Sequence, residues 1–271
     1  AYRNAYNHIE RFLQTKYKLS DIPFSALDRS FIDKYDLYLR TERNLAPGTI
    51  INLTVQLKTI VGEAIADGII AASPFLGYEP VRPKAVQKYL TAEELHRIMI
   101  TPLHRQTLYL VRDMFLFSCF TGISYRDMCL LTKSNLCSAE DGTWWIKSAR
   151  QKTKIEFEIP LLDLPLQILK KYSDTAPDDK LLPMYCNSML NHYLKEIAQI
   201  CHINRPLVFH AARHTYATEI TLSHGVPLET VSKMLGHSQI KTTQVYAETS
   251  PERVFLDIEK ILPQLAHYQL T

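Results

Sequence analysis

His210-Ala211-Ala212-Arg213-His214, then Leu235-Gly236-His237, then Tyr246: the reading of this stretch decides how the remainder of the 271-residue chain is understood. His210, Arg213 and His214 stand three and four residues apart, so a helix presents them on one face. Together with His237 and Tyr246 they form equipment for attacking a phosphodiester with a phenol and no metal. A phenol with an ordinary pKa near 10 is a poor nucleophile at neutral pH, and it needs a base or a positive field beside it. The crowded, phosphorane-like state gains negative charge on its non-bridging oxygens, which fixed Arg and His donors meet better than mobile water does. The departing sugar oxygen needs a proton, and a lysine is a suitable donor. His-x-x-x-His is also metal-ligand spacing, but the Glu that a metalloprotease places after its first His is missing. No metal and no cofactor are expected.

Upstream of this stretch the hydrophobic period changes. Thr143 to Ala149 and Ile155 to Ile159 are rich in β-formers around the polar segment Gln151 to Lys154, which predicts a β-hairpin. Arg105 to Phe120 reads as a buried helix closed by Gly122, a short helix follows Ser124, and the chain after Leu166 is helical again. Thr91 and Glu94 have the spacing of a capping box at the start of a new helix. Before them, Pro74, Pro80 and Pro83 forbid a continued helix. Earlier still, Tyr2 to Leu13 reads as helix, Ser30 and Pro47 mark helix starts, and Ile50, Leu53, Leu57, Ile60, Val61 and Ala64 recur at helical spacing up to Asp67-Gly68. This region predicts a bundle of about four helices. The expected fold is mainly α with a small antiparallel β-sheet (α+β), in two domains: a helical domain over 1–80, a linker over 81–90 and a second domain over 91–271.

The composition is that of a globular chain, 46% hydrophobic and 22% charged, and no apolar run approaches the roughly 20 residues that span a bilayer. A net charge of +3 is too small to argue a nucleic-acid partner by itself, so local placement must carry that argument. The five cysteines are odd in number and lack C-x-x-C spacing, which predicts reduced thiols in a cytoplasmic protein. A start at Ala1 without Met reads as a piece of something longer.

In ordered combination, His-x-x-Arg-His, Leu-Gly-His and a following Tyr, preceded by a hairpin Lys and a Thr-Gly motif, resemble the signature of the tyrosine recombinases, or phage-type integrases. The likeness extends to Asn44 to Phe75, which resembles the family's helical core-binding domain, and to Pro83 to Glu94, which resembles its interdomain linker. The resemblance implies a core-binding domain followed by a tyrosine-recombinase catalytic domain. It makes Tyr246 the nucleophile, Arg213 a phosphate clamp, His210 a base or donor to the scissile phosphate, His237 a further donor and Lys152 the general acid, with Lys154 as rival. Candidate DNA-contacting side chains are Lys58, Arg82, Lys84 and His214, giving binding that weakens steeply with salt. The implied partners are double-stranded DNA recombination (att) sites, three further copies of the chain in a tetramer on DNA, and accessory DNA-bending proteins; off DNA the protein would be monomeric, in a bacterial cytoplasm and associated with the nucleoid. A further arm-site-binding domain would precede Ala1.

One position departs from the family. Its first catalytic Arg stands two residues after the Gly of the Thr-Gly motif, where this chain has Ser124. Thr-Gly-x-Ser-Tyr-x-Asp resembles the branch carried by conjugative transposons of Bacteroides. Ser124 reads either as a helix N-cap, worth about 1 kcal/mol, or as a direct phosphate contact. Arg150 is a candidate for the missing charge, because a strand running regularly into the turn would point Arg150 and Lys152 the same way; Arg126, two along from Ser124 on a helix, points roughly opposite. Rival readings are a helix-turn-helix regulator around Leu228 to Thr243 and a catalytically inactive, recombinase-like DNA-binding regulator. Beyond Tyr246, Val254, Phe255, Ile258, Ile261 and Leu262 form the stripe of a helix, predicted to dock on a neighbouring protomer.

Overall fold

The structure is a computed structural model that describes residues 2–83, 87–177, 179–247 and 259. Lys84 and the stripe from Val254 to Leu262 lie outside the described residues. The chain divides into two compact units, residues 1–86 and 87–271. Among the described residues no helix is long and apolar enough to cross a membrane.

The first unit contains helices α1 (Tyr2–Phe12), α2 (Arg29–Thr41) and α3 (Pro47–Ala66). The described residues thus form three α-helices where the sequence suggested about four; beyond Asp67 the chain runs in turns through Pro74, Gly77 and Pro80. Helix α2 starts one residue before the expected Ser30, because Asp28 accepts the Phe31 amide at 2.7 Å and is the true N-cap. Pro47 opens α3 at its first turn, where a missing N–H costs nothing. An aromatic core of Phe12, Phe31, Tyr35 and Tyr38 joins Leu39, Leu53 and Val61.

In the second unit, α4 (Ala92–Ile100) has the full capping box: Thr91 accepts the Glu94 amide and Glu94 accepts the Thr91 amide. Helix α5 (Gln106–Thr121) is central, and it ends at Gly122 in the left-handed region (φ 68). A Cβ on Gly122 would collide with the Tyr216 ring and come within 2.8 Å of Leu235. Helix α6 (Tyr125–Met128) leads to an antiparallel sheet of β1 (Leu136–Ser138), β2 (Trp144–Ala149) and β3 (Glu156–Pro160). Helices α7 (Asp163–Tyr172), α8 (Asn187–Ile200), α9 (His210–Thr215), α10 (Leu228–Met234) and α11 (Lys241–Gln244) complete the unit. Phe115 and Phe117 of α5, Leu190 and Leu194 of α8, and Ile146 and Ile159 of the sheet meet in one core. Burial of a large apolar side chain contributes about 1.5–3 kcal/mol, so these contacts fix where α9 and the hairpin stand.

Candidate active site

Helix α9 is held from both ends. At its start the Phe209 amide donates to Asn191 of α8 at 2.7 Å; near its end Thr215 accepts the Leu90 amide at 2.9 Å. These ties turn Arg213 inward, 4% exposed, while His210 opens to solvent and His214 is half-buried. Arg213 donates to the Gly122 carbonyl at 2.7 Å and to the Leu235 carbonyl, so its charge is solvated by fixed backbone oxygens. Burial and the nearby Arg150 pull its pKa down to about 10, which leaves it a cation at neutral pH.

Arg213 Nη2 also lies 3.0 Å from His237 Nε2. A guanidinium only donates, so Nε2 accepts, and the ring proton sits on Nδ1, which donates to Thr243 Oγ1 at 2.8 Å. In this state His237 accepts at Nε2 and donates at Nδ1. Burial, then Arg213 and Arg150, lower its pKa to about 4.

Tyr246 is 8% exposed and follows α11, its amide bonded to the Thr243 carbonyl at 2.9 Å. The ring stacks on His237 (centroids 6.2 Å, 15°) and meets His214 edge-on (4.9 Å, 76°). His214 in turn meets His210 edge-on at 4.9 Å. Burial foremost, then His210, Lys88 and Arg213, lowers His214 to about 4. Burial, Arg213, Arg150 and Lys88 lower His210 as well. The cluster is therefore a buried phenol flanked by the neutral imidazoles of His214 and His237, with His210 behind His214 and a permanent cation beneath. Among the described residues, no group of three or more His, Cys, Asp or Glu side chains is placed to hold a metal ion.

The hairpin brings a second arginine. Arg150 follows β2, and its guanidinium reaches towards the Leu235 carbonyl (3.5 Å) and the buried Asp127 carboxylate (3.4 Å). Its stem crosses Gly236, where a Cβ would lie 2.8 Å from Arg150 Cγ. The strand does not continue to Lys152: the Lys154 amide bonds the Arg150 carbonyl at 2.8 Å and closes a turn, which leaves Lys152 exposed and without a polar partner among the described residues. The alternation that would have aligned Arg150 with Lys152 stops at Ala149, before either residue. Ser124 occupies the N-cap position of α6 but makes no capping bond to a backbone amide; its hydroxyl donates to Asp127 Oδ2 at 2.6 Å. Arg126 is exposed.

In the first unit, Lys58 lies over the Phe75 and Tyr78 rings at 5.4 and 5.6 Å, a cation–π seat, and Arg82 is exposed. His214 belongs to the cluster around Tyr246 rather than to an outer surface. Two contributors escaped the sequence reading. Asp127 stands three residues after Ser124, a spacing that announces a helical contact; nothing local announces Thr243. The helix-turn-helix reading fares poorly, since α11 has four residues and the preceding turn is occupied in holding two arginines.

The phage integrase family model matches residues 88–253, and the phage integrase SAM-like domain model matches residues 1–80. The tyrosine recombinase XerD of Listeria monocytogenes is 24% identical over 94% of this chain and 88% of its own. The tyrosine recombinase XerC of Bacillus licheniformis is 27% identical over 78% and 73%. Among solved structures, the Tn1549 transposon integrase in complex with a circular intermediate DNA has a TM-score of 0.70 at 18% identity, covering 93% of this chain and 90% of that one. A lambda integrase dimer bound to a COC' core site has a TM-score of 0.68 at 17% identity, covering 89% and 87%.

Proposed function

The chain belongs to the phage integrase family, and from that premise we propose that it is a site-specific tyrosine recombinase that cleaves and rejoins DNA strands, integrating and excising a mobile element. The observation that carries this reading is the seat of Tyr246, packed between His214 and His237, with His237 bonded to the buried Arg213. Tyr246 attacks the scissile phosphorus, forming a 3′-phosphotyrosine and releasing a 5′-hydroxyl. The broken bond to the 5′-oxygen is exchanged for one to the Tyr246 oxygen, so its energy is conserved and rejoining needs no ATP. Arg213 and Arg150 meet the charge that develops on the non-bridging oxygens, and their preorganised positions cost no reorganisation during the step. His210, neutral and open to solvent, takes the phenol proton or donates to the phosphate. When a phosphate oxygen displaces His237 from Arg213, the imidazole shifts its proton from Nδ1 to Nε2, Nδ1 then accepts from the Thr243 hydroxyl, and Nε2–H becomes a further donor to the phosphate. Lys152, on the exposed turn, gives the leaving oxygen its proton, with Lys154 as the alternative.

Residues 1–80 are assigned to core-site DNA binding, through Lys58, Arg82 and Lys84, and residues 91–271 to catalysis. The partners are double-stranded recombination sites, on which four copies assemble from monomers with accessory DNA-bending proteins. The Tn1549 transposon integrase, solved in complex with a circular intermediate DNA, supports a transposon setting.

Incubation with nicked candidate recombination sites, followed by denaturing electrophoresis, should give an SDS-resistant protein–DNA adduct in the presence of EDTA. Tyr246→Phe should bind the same DNA and give none. An adduct that persists in this variant would move the nucleophile elsewhere, and one abolished by EDTA would contradict the metal-free chemistry.

A further inference from the structure

Ser124, standing where the family has an arginine, donates its hydroxyl to Asp127 Oδ2. The Asp127 carboxylate is 4% exposed, and it serves two elements at once. On its own side it takes the Ser124 hydroxyl; on the hairpin side it accepts the Gln151 amide at 2.9 Å and faces Arg150 Nε at 3.4 Å. One buried carboxylate thus ties α6 to the base of the β2–β3 turn. Beyond it, Arg150 and Arg213 converge on the same Leu235 carbonyl.

Two guanidinium groups on one carbonyl repel each other, the more so away from water, and Asp127 is the charge that offsets them. A serine at 124 orients that carboxylate with a neutral hydrogen bond and leaves its charge to Arg150. An arginine at 124 would claim the carboxylate and add a third cation beside Arg213.

We propose that Ser124 and Asp127 form a latch that positions the hairpin-borne Arg150 for strand cleavage, Ser124 by orienting the carboxylate and Asp127 by holding both the turn and the guanidinium. Neither residue touches the phosphate; both are positioning residues acting through Arg150. The inference rests on the recombinase reading above, and it replaces a direct phosphate contact by Ser124.

The test is the single-turnover rate of covalent adduct formation by the full chain on a nicked recombination site, with DNA binding measured alongside. Arg150→Ala should slow the adduct on the order of 100-fold with binding little changed, and added methylguanidinium should restore at least about tenfold by filling the vacated place. In Arg150→Ala/Asp127→Asn, methylguanidinium should restore nothing, a difference that a merely structural role for Asp127 would not produce. Ser124→Arg alone should slow the reaction, whereas Ser124→Arg/Arg150→Ala should react faster than Arg150→Ala. If the Asp127→Asn chain does not fold, this arginine exchange decides alone. Wild-type rates in Arg150→Ala, equal rescue with and without Asp127, or a faster Ser124→Arg enzyme would each overturn the latch while leaving the recombinase reading intact. Failure of the wild-type chain to form any adduct would overturn both.

Discussion

Arg213 buries a permanent charge among carbonyl oxygens, and the histidines around it feel that charge. His214 and His237 both fall to about 4, and His210 falls as well, each chiefly through burial. Each of these groups titrates near 6.5 in an unfolded chain, so between about 6.5 and 4 the unfolded state binds more protons and stability rises with pH. The contribution is whole above about 6.5 and is lost as the pH falls through that window. After allowance for solvent screening of these half-open groups, the loss is on the order of 1 kcal/mol each for His214 and His237, and His210 adds in the same direction. The melting temperature should therefore be flat above neutrality and fall below about pH 6.5, with a shallower fall in a His214→Gln/His237→Gln variant. An equally steep profile in that variant would place the acid sensitivity in other groups.

The next scale is two turns pressed together. The Leu235–His237 turn accepts two arginines through one carbonyl, and Gly236 (φ 62) leaves room for the Arg150 stem. Gly236→Ala adds both a left-handed strain and a methyl 2.8 Å from Arg150 Cγ, so the flexible Arg150 stem must give way. The expected cost is about 1–2 kcal/mol of stability and at least a tenfold slower adduct, read by denaturant melts and single-turnover cleavage. A variant that cleaves at the wild-type rate would show that Arg150 needs no such channel. Elements whose signals are local were legible in the sequence. The Thr91/Glu94 box, the Gly122 stop and the β2–β3 alternation all follow from residues within a few positions of one another. Strand β1 was not legible, because three residues are too few to set a period. The partners of Asp127 and Thr243 were hidden for another reason: a carboxylate or hydroxyl acquires such a role only when tertiary packing brings a distant donor to it. Lys152 failed the strand rule for the simplest cause, that β2 ends at Ala149.

For the whole molecule, the decisive fact is that each unit has its own apolar core, one centred on Phe12, Tyr35 and Leu39 and the other on Phe115, Leu190 and Leu194. Separate cores of this kind allow separate folding. All the groups proposed to act on the phosphate lie in residues 150–246, so the chemistry should survive without the first unit, while affinity should not. Joining two DNA-binding modules makes the second binding event intramolecular, and losing one typically weakens the assembly about 100-fold or more. A chain of residues 87–271 should accordingly melt cooperatively and form the Tyr246 adduct on nicked DNA, but only at about 100-fold higher protein concentration. Its binding should also depend less steeply on salt, because fewer phosphates are neutralised. If this fragment binds as tightly as the full chain and with the same salt slope, residues 1–80 make no contact with DNA and their assignment to core-site binding fails. If it binds but gives no adduct, the first unit contributes to the chemistry as well as to affinity.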